Sequence, residues 1–273
     1  MSTSPPRPGV VDRVLRRDSG IVVFCVLLII LGASWYTIAG IGMNMSAIDM
    51  TRMAGPIGEP MNMATETRWT PIYAVLIFLM WWVMMIAMMT PSAAPTVLLY
   101  TAIKRMGPDK LRASRLSLLF LTGYLVAWAV FSIISTGAQR AMESVGLSDG
   151  PMMTIHSKFF AGCVLVAAGL YQLSSLKTAC LRHCRSPAQF LADHNRPGAY
   201  GAFRTGALHG AFCLGCCWAL MLLLFVGGVM NLYWIVGIAV YVALEKLMPR
   251  VRWFVPLTGV ALIVVGVWLI AIA

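Results

Sequence analysis

A histidine and three cysteines are concentrated in one short apolar segment of the chain. They occur in the order His209-Gly-Ala-Phe-Cys213-Leu-Gly-Cys216-Cys217. At about 100° per residue, an α-helix places these four side chains within an arc of roughly 100°. Thiolates and imidazole bind soft or borderline metals, Cu(I) first and Zn(II) second. The segment therefore predicts metal or redox chemistry, with simple packing of buried cysteines as the competing interpretation.

A second set of soft donors is a group of five methionines at helical spacing. One stripe of a helix would carry three of them and a second stripe, about 100° away, the other two. Thioethers favour Cu(I) and bind hard ions poorly, although methionine also fills irregular gaps between helices. If the two helices touch, their donors lie at similar depth and could form one site. The methionines are Met80, Met84, Met85, Met88 and Met89.

Methionine also recurs in the segment 42–70, which we predict to be an external loop. Exposed methionine is unusual in a loop, and the Met-x-Met spacing resembles the copper-capturing segments of copper transporters. The alternative is a loop that packs against the bundle or lies among lipid headgroups. The candidates for capture of a soft metal are Met43, Met45, Met61 and Met63.

Cys180, His183 and Cys184 occur together in a basic segment, 177–206, which we predict to be a cytoplasmic loop. On a helix the two cysteines are one turn apart, with the histidine beside them. They are candidates for metal exchange with a soluble partner. Two reduced cytosolic thiols without a function are the alternative.

Glu245 and Lys246 lie at the inner end of a short apolar run. Ionisable residues inside a membrane are rare and commonly functional, which makes this pair a candidate. A pair so close to the interface can also extend its charged ends into the headgroup region.

The composition indicates which kind of fold holds these residues in place. The chain has 273 residues, of which 59% are hydrophobic and 11% are charged. A soluble domain carries about 25% charged residues, so this chain predicts lipid as its surroundings. We predict an all-α, polytopic transmembrane helical bundle of about seven spans, forming one integral membrane domain over residues 1–273. The apolar runs are 21–41, 71–92, 116–137, 158–176, 207–229, 232–247 and 253–272.

Two features make the span count uncertain at particular places. The run 232–247 is the shortest, and Thr90-Pro91 predicts a kink or a break near the inner end of the second run. The positions of lysine and arginine predict a cytoplasmic N-terminus, because basic residues concentrate in cytoplasmic segments. Residues 1–20 would then be a cytoplasmic tail of a multi-pass protein of the bacterial inner membrane. The net charge of +11 is thus interpreted as a topology signal, and nucleic acid is not an expected partner.

Several function classes lack their sequence signals. The chain has no phosphate-binding glycine loop, no Gly-x-Ser-x-Gly turn, no His-Glu-x-x-His pair and no Cys-x-x-Cys-His haem attachment. We assign no catalytic residue, and an enzyme is the less favoured interpretation.

Four segments resemble those of a bacterial family described as predicted metal-binding integral membrane proteins of unknown function. They are the runs Met80–Tyr100, Gly169–Pro187 and His209–Met221, together with Glu245-Lys246. The resemblance implies a polytopic membrane protein associated with a metal. It implies no established activity.

The function expected from these residues is soft-metal handling in the membrane, with Cu(I) bound for transport or delivery and zinc as the second choice. Its partners would be the lipid bilayer and a soluble metal chaperone or a membrane partner subunit. A membrane thiol oxidoreductase that passes electrons to a quinone is one alternative. A non-catalytic membrane subunit of a larger complex, with merely packed cysteines, is another.

Overall fold

Helices make up most of the chain in the computed structural model, which describes residues 10–40, 45–58, 69–149, 153–247 and 253–273. The all-α expectation is confirmed. A short 3-10 turn, Lys110–Arg112, precedes α4, and a two-stranded hairpin pairs β1 (Ser148–Asp149) with β2 (Thr154–Ile155). The helices in these ranges are α1 (Val10–Ala39), α2 (Ala47–Arg52), α3 (Pro71–Met106), α4 (Ala113–Ser144), α5 (Lys158–Leu173), α6 (Ser175–Arg185), α7 (Pro187–His194), α8 (Gly198–Gly227), α9 (Leu232–Leu247) and α10 (Phe254–Ala271).

Five helical segments in the described ranges are long and apolar enough to cross a membrane. A sixth crossing is obtained if α5 and α6, which meet at a bend of 63°, count as one span. Helix α9 has 16 residues and is about 24 Å long, which is short for a hydrocarbon core of about 30 Å. The seventh span and the orientation therefore stay predictions. The five segments are Gly20–Ala39, Pro71–Met106, Lys110–Ser144, Gly198–Gly227 and Phe254–Ala271.

Helix α3 continues without a break through both of its prolines, Pro91 and Pro95. The predicted break at Thr90-Pro91 is therefore wrong, whereas the alternative, a kink, stays a prediction. Proline has no N–H, so the carbonyl groups of Ala87 and Pro91 lose their usual helical donors. The helix tolerates this loss because the rest of its 36 residues keep the regular pattern, and it ends only at Gly107.

The segment 177–206 is largely helical, and its position as a cytoplasmic loop between spans stays a prediction. It contains most of α6, all of α7 and the beginning of α8. The hydroxyl of Ser174 accepts a hydrogen bond from the backbone N–H of Lys177 and so caps α6. The extended backbone of Ser174 also ends α5, so that α6 continues at a bend of 63° and packs against α8.

Helix α8 lies at the centre of the bundle and packs against α4, α5, α6 and α9. Glycines bring α4 and α8 together at backbone distance. A Cβ atom on Gly206 would collide with the carbonyl oxygen of Phe120, and one on Gly123 would collide with that of Phe203. Small residues permit this close packing of membrane helices. The central position of α8 puts its cysteines where several helices can reach them.

Candidate metal centre

The three cysteines of α8 are fully buried. Cys213, Cys216 and Cys217 face one side of the helix, as their spacing predicts. The thiols of Cys216 and Cys217 donate to the carbonyl oxygen of Cys213, at 3.1 and 2.8 Å. These contacts hold the sulfur atoms of one helical turn together.

Helix α6 adds a fourth thiol to the group. The Sγ of Cys184 lies 3.9 Å from the Sγ of Cys216, whose thiol in turn bonds to the carbonyl oxygen of Cys213. We call these four residues the thiol cluster. Cys180, one turn earlier on α6, lies against Gly215 of α8, where any side chain would meet its sulfur. Cys180 and Cys184 are thus part of the wall of this site, which the sequence placed in a separate cytoplasmic loop.

A lysine and a tyrosine complete the surroundings of Cys213. The buried Nζ of Lys246 donates to the Sγ of Cys213 at 2.9 Å and to the Oγ of Ser92 at 3.2 Å. The hydroxyl of Tyr124 lies 3.1 Å from the same Sγ and donates to the carbonyl oxygen of Met89. A buried ammonium group requires electron-rich partners. For Lys246 these partners are the sulfur of Cys213 on α8 and the hydroxyl of Ser92 on α3.

Glu245 and Lys246 do not pair with each other. The Oε1 of Glu245 lies 2.8 Å from the Nζ of Lys177, with both side chains buried. The Nε of Arg185 also donates to the carbonyl oxygen of Glu245. Neighbouring residues of a helix point about 100° apart, so Glu245 faces α6 while Lys246 faces α8. The interpretation of an interfacial Glu-Lys pair is therefore wrong.

The five methionines of α3 are buried. Helices α3 and α8 touch through the rings of Trp81 and Phe225, whose centroids are 4.9 Å apart. The link from α3 to Cys213 runs through the carbonyl of Met89 and the hydroxyl of Ser92, joined by Tyr124 and Lys246. The backbone of Met89 is thus connected to Cys213 through Tyr124, and the role of the five methionines as sulfur ligands stays a prediction.

The remaining predicted donors are His209 and four methionines of the segment 42–70. His209 is buried among the rings of Phe120, Tyr124 and Phe190, and its Nδ1 has no hydrogen-bond partner among the described residues. Met45 precedes the short helix α2. Three predicted capture residues, Met43, Met61 and Met63, lie outside the described residues.

The sequence alone did not single out four residues that the structure brings to the site or its edge. Tyr124 and Ser92 contact the Cys213 environment, Lys177 neutralises Glu245, and His194 stacks against Phe190. Their contacts cross between helices, so no spacing within one segment indicates them. Only Lys177 carries a signal, because it is a lone cation close to an apolar run.

The donor types fit a soft metal ion, since thiolate sulfur selects Cu(I) and related ions. Within the part of the chain that the structure describes, no group of three or more His, Cys, Asp or Glu side chains is arranged so that it could hold a metal ion. Binding therefore requires the thiols to turn toward a shared point. The Sγ atoms of Cys184 and Cys216, which lie 3.9 Å apart, already bring donors of α6 and α8 together.

Comparison with known proteins gives one match. A family model described as PpoB2: Copper chaperone matches residues 78–269. Neither the curated proteins nor the solved structures contain a match. The matched range includes the whole thiol cluster, the methionines of α3 and Lys246. The resemblance to a metal-related family is supported, and the metal associated with that family is copper.

Proposed function

Because the chain belongs to the PpoB2 copper chaperone family, we propose that it binds Cu(I) at the thiol cluster within the membrane and delivers the ion to another protein. The observation that carries this proposal is the meeting of thiols from two helices, Cys184 of α6 and Cys216 of α8, at 3.9 Å. Soft thiolate ligands select Cu(I) over harder ions. Zinc is the second candidate, and delivery is favoured over transport by the family description.

Charge balance supports the same assignment. A Cu(I) ion held by two thiolates carries one net negative charge, which is costly to bury without compensation. Lys246, whose ammonium group contacts Cys213, supplies one positive charge at that place. A centre made of Cu(I), two thiolates and Lys246 is therefore neutral. Zn(II) with four thiolates would keep a net negative charge beside the same lysine.

Release also has a structural basis. Three thiols are fixed on α8, whereas Cys184 belongs to α6, which is joined to α5 only through the bend at Ser174. A rotation of the Cys184 side chain would change the number of thiols that bind the ion while α6 and α8 stay in place. A chaperone needs such an exchangeable ligand, because it must hold its cargo firmly and still give it up.

The wider route is a proposal that combines these ligands with the predicted topology. The methionines of segment 42–70 would capture copper outside the inner membrane, and those of α3 would pass it inward. The lipid bilayer surrounds the bundle, and the receiving partner would be a soluble metal chaperone or a membrane partner subunit.

The test measures copper on the purified full-length protein in detergent under reducing conditions. Wild-type protein should compete with a chromophoric Cu(I) chelator and retain a stoichiometric amount of Cu(I). The variant C213A/C216A/C217A should lose it. The matched control C25A/C163A removes cysteines away from the cluster and should retain it. Wild-type protein that holds neither copper nor zinc would contradict the proposal.

One distance also favours a second function, a membrane thiol oxidoreductase. The 3.9 Å between the Sγ atoms of Cys184 and Cys216 is within a small movement of the roughly 2 Å of a disulfide bond. Oxidation would form that bond, release two protons and pass two electrons to a quinone. Thiol counting before and after exposure to a quinone distinguishes the functions, because an unchanged count excludes the oxidoreductase.

A further inference from the structure

Two histidines outside the thiol cluster, one on α6 and one on α7, lie with their rings close together. The Nδ1 of His183 lies 3.0 Å from the carbonyl oxygen of Ala179, and the Nδ1 of His194 lies 3.1 Å from that of Phe190. A carbonyl oxygen only accepts, so each Nδ1 must carry the hydrogen. In the neutral ring, Nε2 then keeps its lone pair. Among the described residues, neither Nε2 has a hydrogen-bond partner.

The spacing of the two rings suits a shared metal ion. Their centroids are 6.5 Å apart, with an angle of 68° between the ring planes. With metal–nitrogen bonds of about 2 Å, two imidazoles on one ion place their centroids roughly 5–6.5 Å apart. The observed separation is at the upper end of that range, so one ion would bind both Nε2 atoms only in a nearly linear, two-coordinate arrangement with both atoms turned toward it.

Aromatic rings hold both imidazoles in place. His183 stacks on Phe212 with centroids 4.1 Å apart, and His194 stacks on Phe190 at 4.9 Å. Fixed Nδ1 hydrogen bonds and stacked rings are the supports that commonly orient metal-binding histidines. Both histidines are partly exposed, so a metal ion can reach them from outside the bundle.

A polar cavity of about 450 Å³ opens beside this pair. Its lining includes His183, Arg182 and Asp193. The cavity therefore gives one of the two imidazoles direct access to a ligand that arrives from the surface. The charged residues at its rim suit the docking of a polar carrier of copper.

The pair is directly next to the thiol cluster on two helices. His183 precedes Cys184 on α6, and Phe212, on which His183 stacks, precedes Cys213 on α8. Consecutive Cα atoms are about 3.8 Å apart. Their side chains point about 100° apart on the helix, so an ion held by the histidines would have to move from one face of α6 to the next to reach the sulfur of Cys184.

We propose that His183 and His194 form a two-histidine transfer site for Cu(I), between the cavity and the thiol cluster. This inference rests on the proposed function. In the transfer, a copper–nitrogen bond breaks as a copper–sulfur bond to Cys184 forms. Copper stays in the Cu(I) state, the proton of the thiol passes to solvent, and the histidines are left neutral.

The kinetic test uses the full-length protein and Cu(I) supplied as a complex with a chromophoric chelator. The variant H183Q/H194Q should take up Cu(I) about tenfold more slowly or worse, while the final amount bound stays that of the wild type. The control H156Q, at the remaining histidine outside the centre, should match the wild type in rate and amount. An unchanged rate in H183Q/H194Q would overturn the transfer site.

A spectroscopic test does not depend on a rate. In the background C180A/C184A/C213A/C216A/C217A, X-ray absorption of protein held in excess Cu(I) without a competing chelator should show two-coordinate nitrogen ligation. Adding H183Q/H194Q should abolish that signal, and its survival would overturn the assignment. Wild-type protein that binds no copper would contradict the proposed function itself. Normal copper binding with an unchanged uptake rate would remove the transfer site alone.

Discussion

Lys246 is a buried cation that contacts sulfur instead of a carboxylate. Its neighbour Glu245 has turned away to pair with Lys177, so two adjacent charges of α9 serve two different helices. The side-chain direction in a helix changes by about 100° per residue, which makes this division possible. Lys246 is thereby free to compensate a negative charge at Cys213.

Removing that charge tests its role. We expect K246M to weaken Cu(I) binding by roughly 10- to 100-fold, since a hydrogen bond to a charged group contributes about 1.5–3 kcal/mol. Competition with a chromophoric chelator measures the change. The control K104M removes another buried lysine, which lies near the end of α3 and contacts Asp109. It should leave the affinity for Cu(I) unchanged. Equal affinities in K246M and wild type would rule out charge compensation.

The hydroxyl of Tyr124 contacts both the carbonyl oxygen of Met89 on α3 and the sulfur of Cys213 on α8. We expect Y124F to lower the free energy of unfolding by about 1 kcal/mol, since a buried interhelical hydrogen bond contributes that much. Its affinity for Cu(I) should change less than that of K246M, because the lost contact is neutral. Thermal unfolding in detergent and chelator competition give the two values. Y200F, at a side chain that is 78% exposed, is the control; a Y124F protein as stable as Y200F would contradict the expectation.

At the scale of elements, the seam between α4 and α8 depends on glycine. A Cβ atom at Gly206 would collide with backbone, the carbonyl of Phe120, whereas one at Gly137 of α4 would meet nothing within 4 Å. We expect G206A to destabilise the protein by about 1–3 kcal/mol through overpacking. G137A should be neutral or stabilising by up to about 1 kcal/mol, because alanine favours helix. Thermal midpoints of the two variants test this, and a G206A midpoint at or above that of G137A would contradict it.

Much of the helical arrangement could be predicted from the sequence. The long apolar runs predicted the helices that hold the site, and the spacing of Cys213, Cys216 and Cys217 predicted their shared face. The path of α6 did not follow, because charge patterning describes a segment's average environment and not its tertiary contacts. The prediction of a break at Pro91 was wrong because it considered the local sequence alone. A long helix tolerates two prolines when its remaining hydrogen bonds and packing are kept.

At the scale of the whole molecule, α6 and α9 are joined by the buried ion pair of Lys177 and Glu245. These helices carry Cys184 and Lys246, so the pair fixes two sides of the metal centre relative to each other. No periodicity could predict it, since the partners are 68 residues apart. Prediction of the cluster likewise stopped at single helices, and the four thiols came together only in the folded bundle.

Replacing one partner of the Lys177–Glu245 ion pair should destabilise the protein more than expected from the effect of replacing both. We expect K177M or E245Q alone to destabilise the bundle by about 3–5 kcal/mol, because each leaves an unpaired buried charge. The double variant K177M/E245Q should be less destabilised than the sum of the single changes. A double-mutant cycle from thermal unfolding measures the coupling. Additive effects would show that the two charges do not interact.

The same pair has a consequence for how the protein is made. At about 5–20 residues per second, the ribosome synthesises Glu245 roughly 3–14 seconds after Lys177. During that interval the lysine has no native partner and is costly to enclose in a nonpolar interior. The ion pair that holds α6 against α9 can therefore form only after α9 has left the ribosome. A chain truncated after α8 would present an unmatched cation to the insertion machinery and to the proteases that remove incomplete membrane proteins.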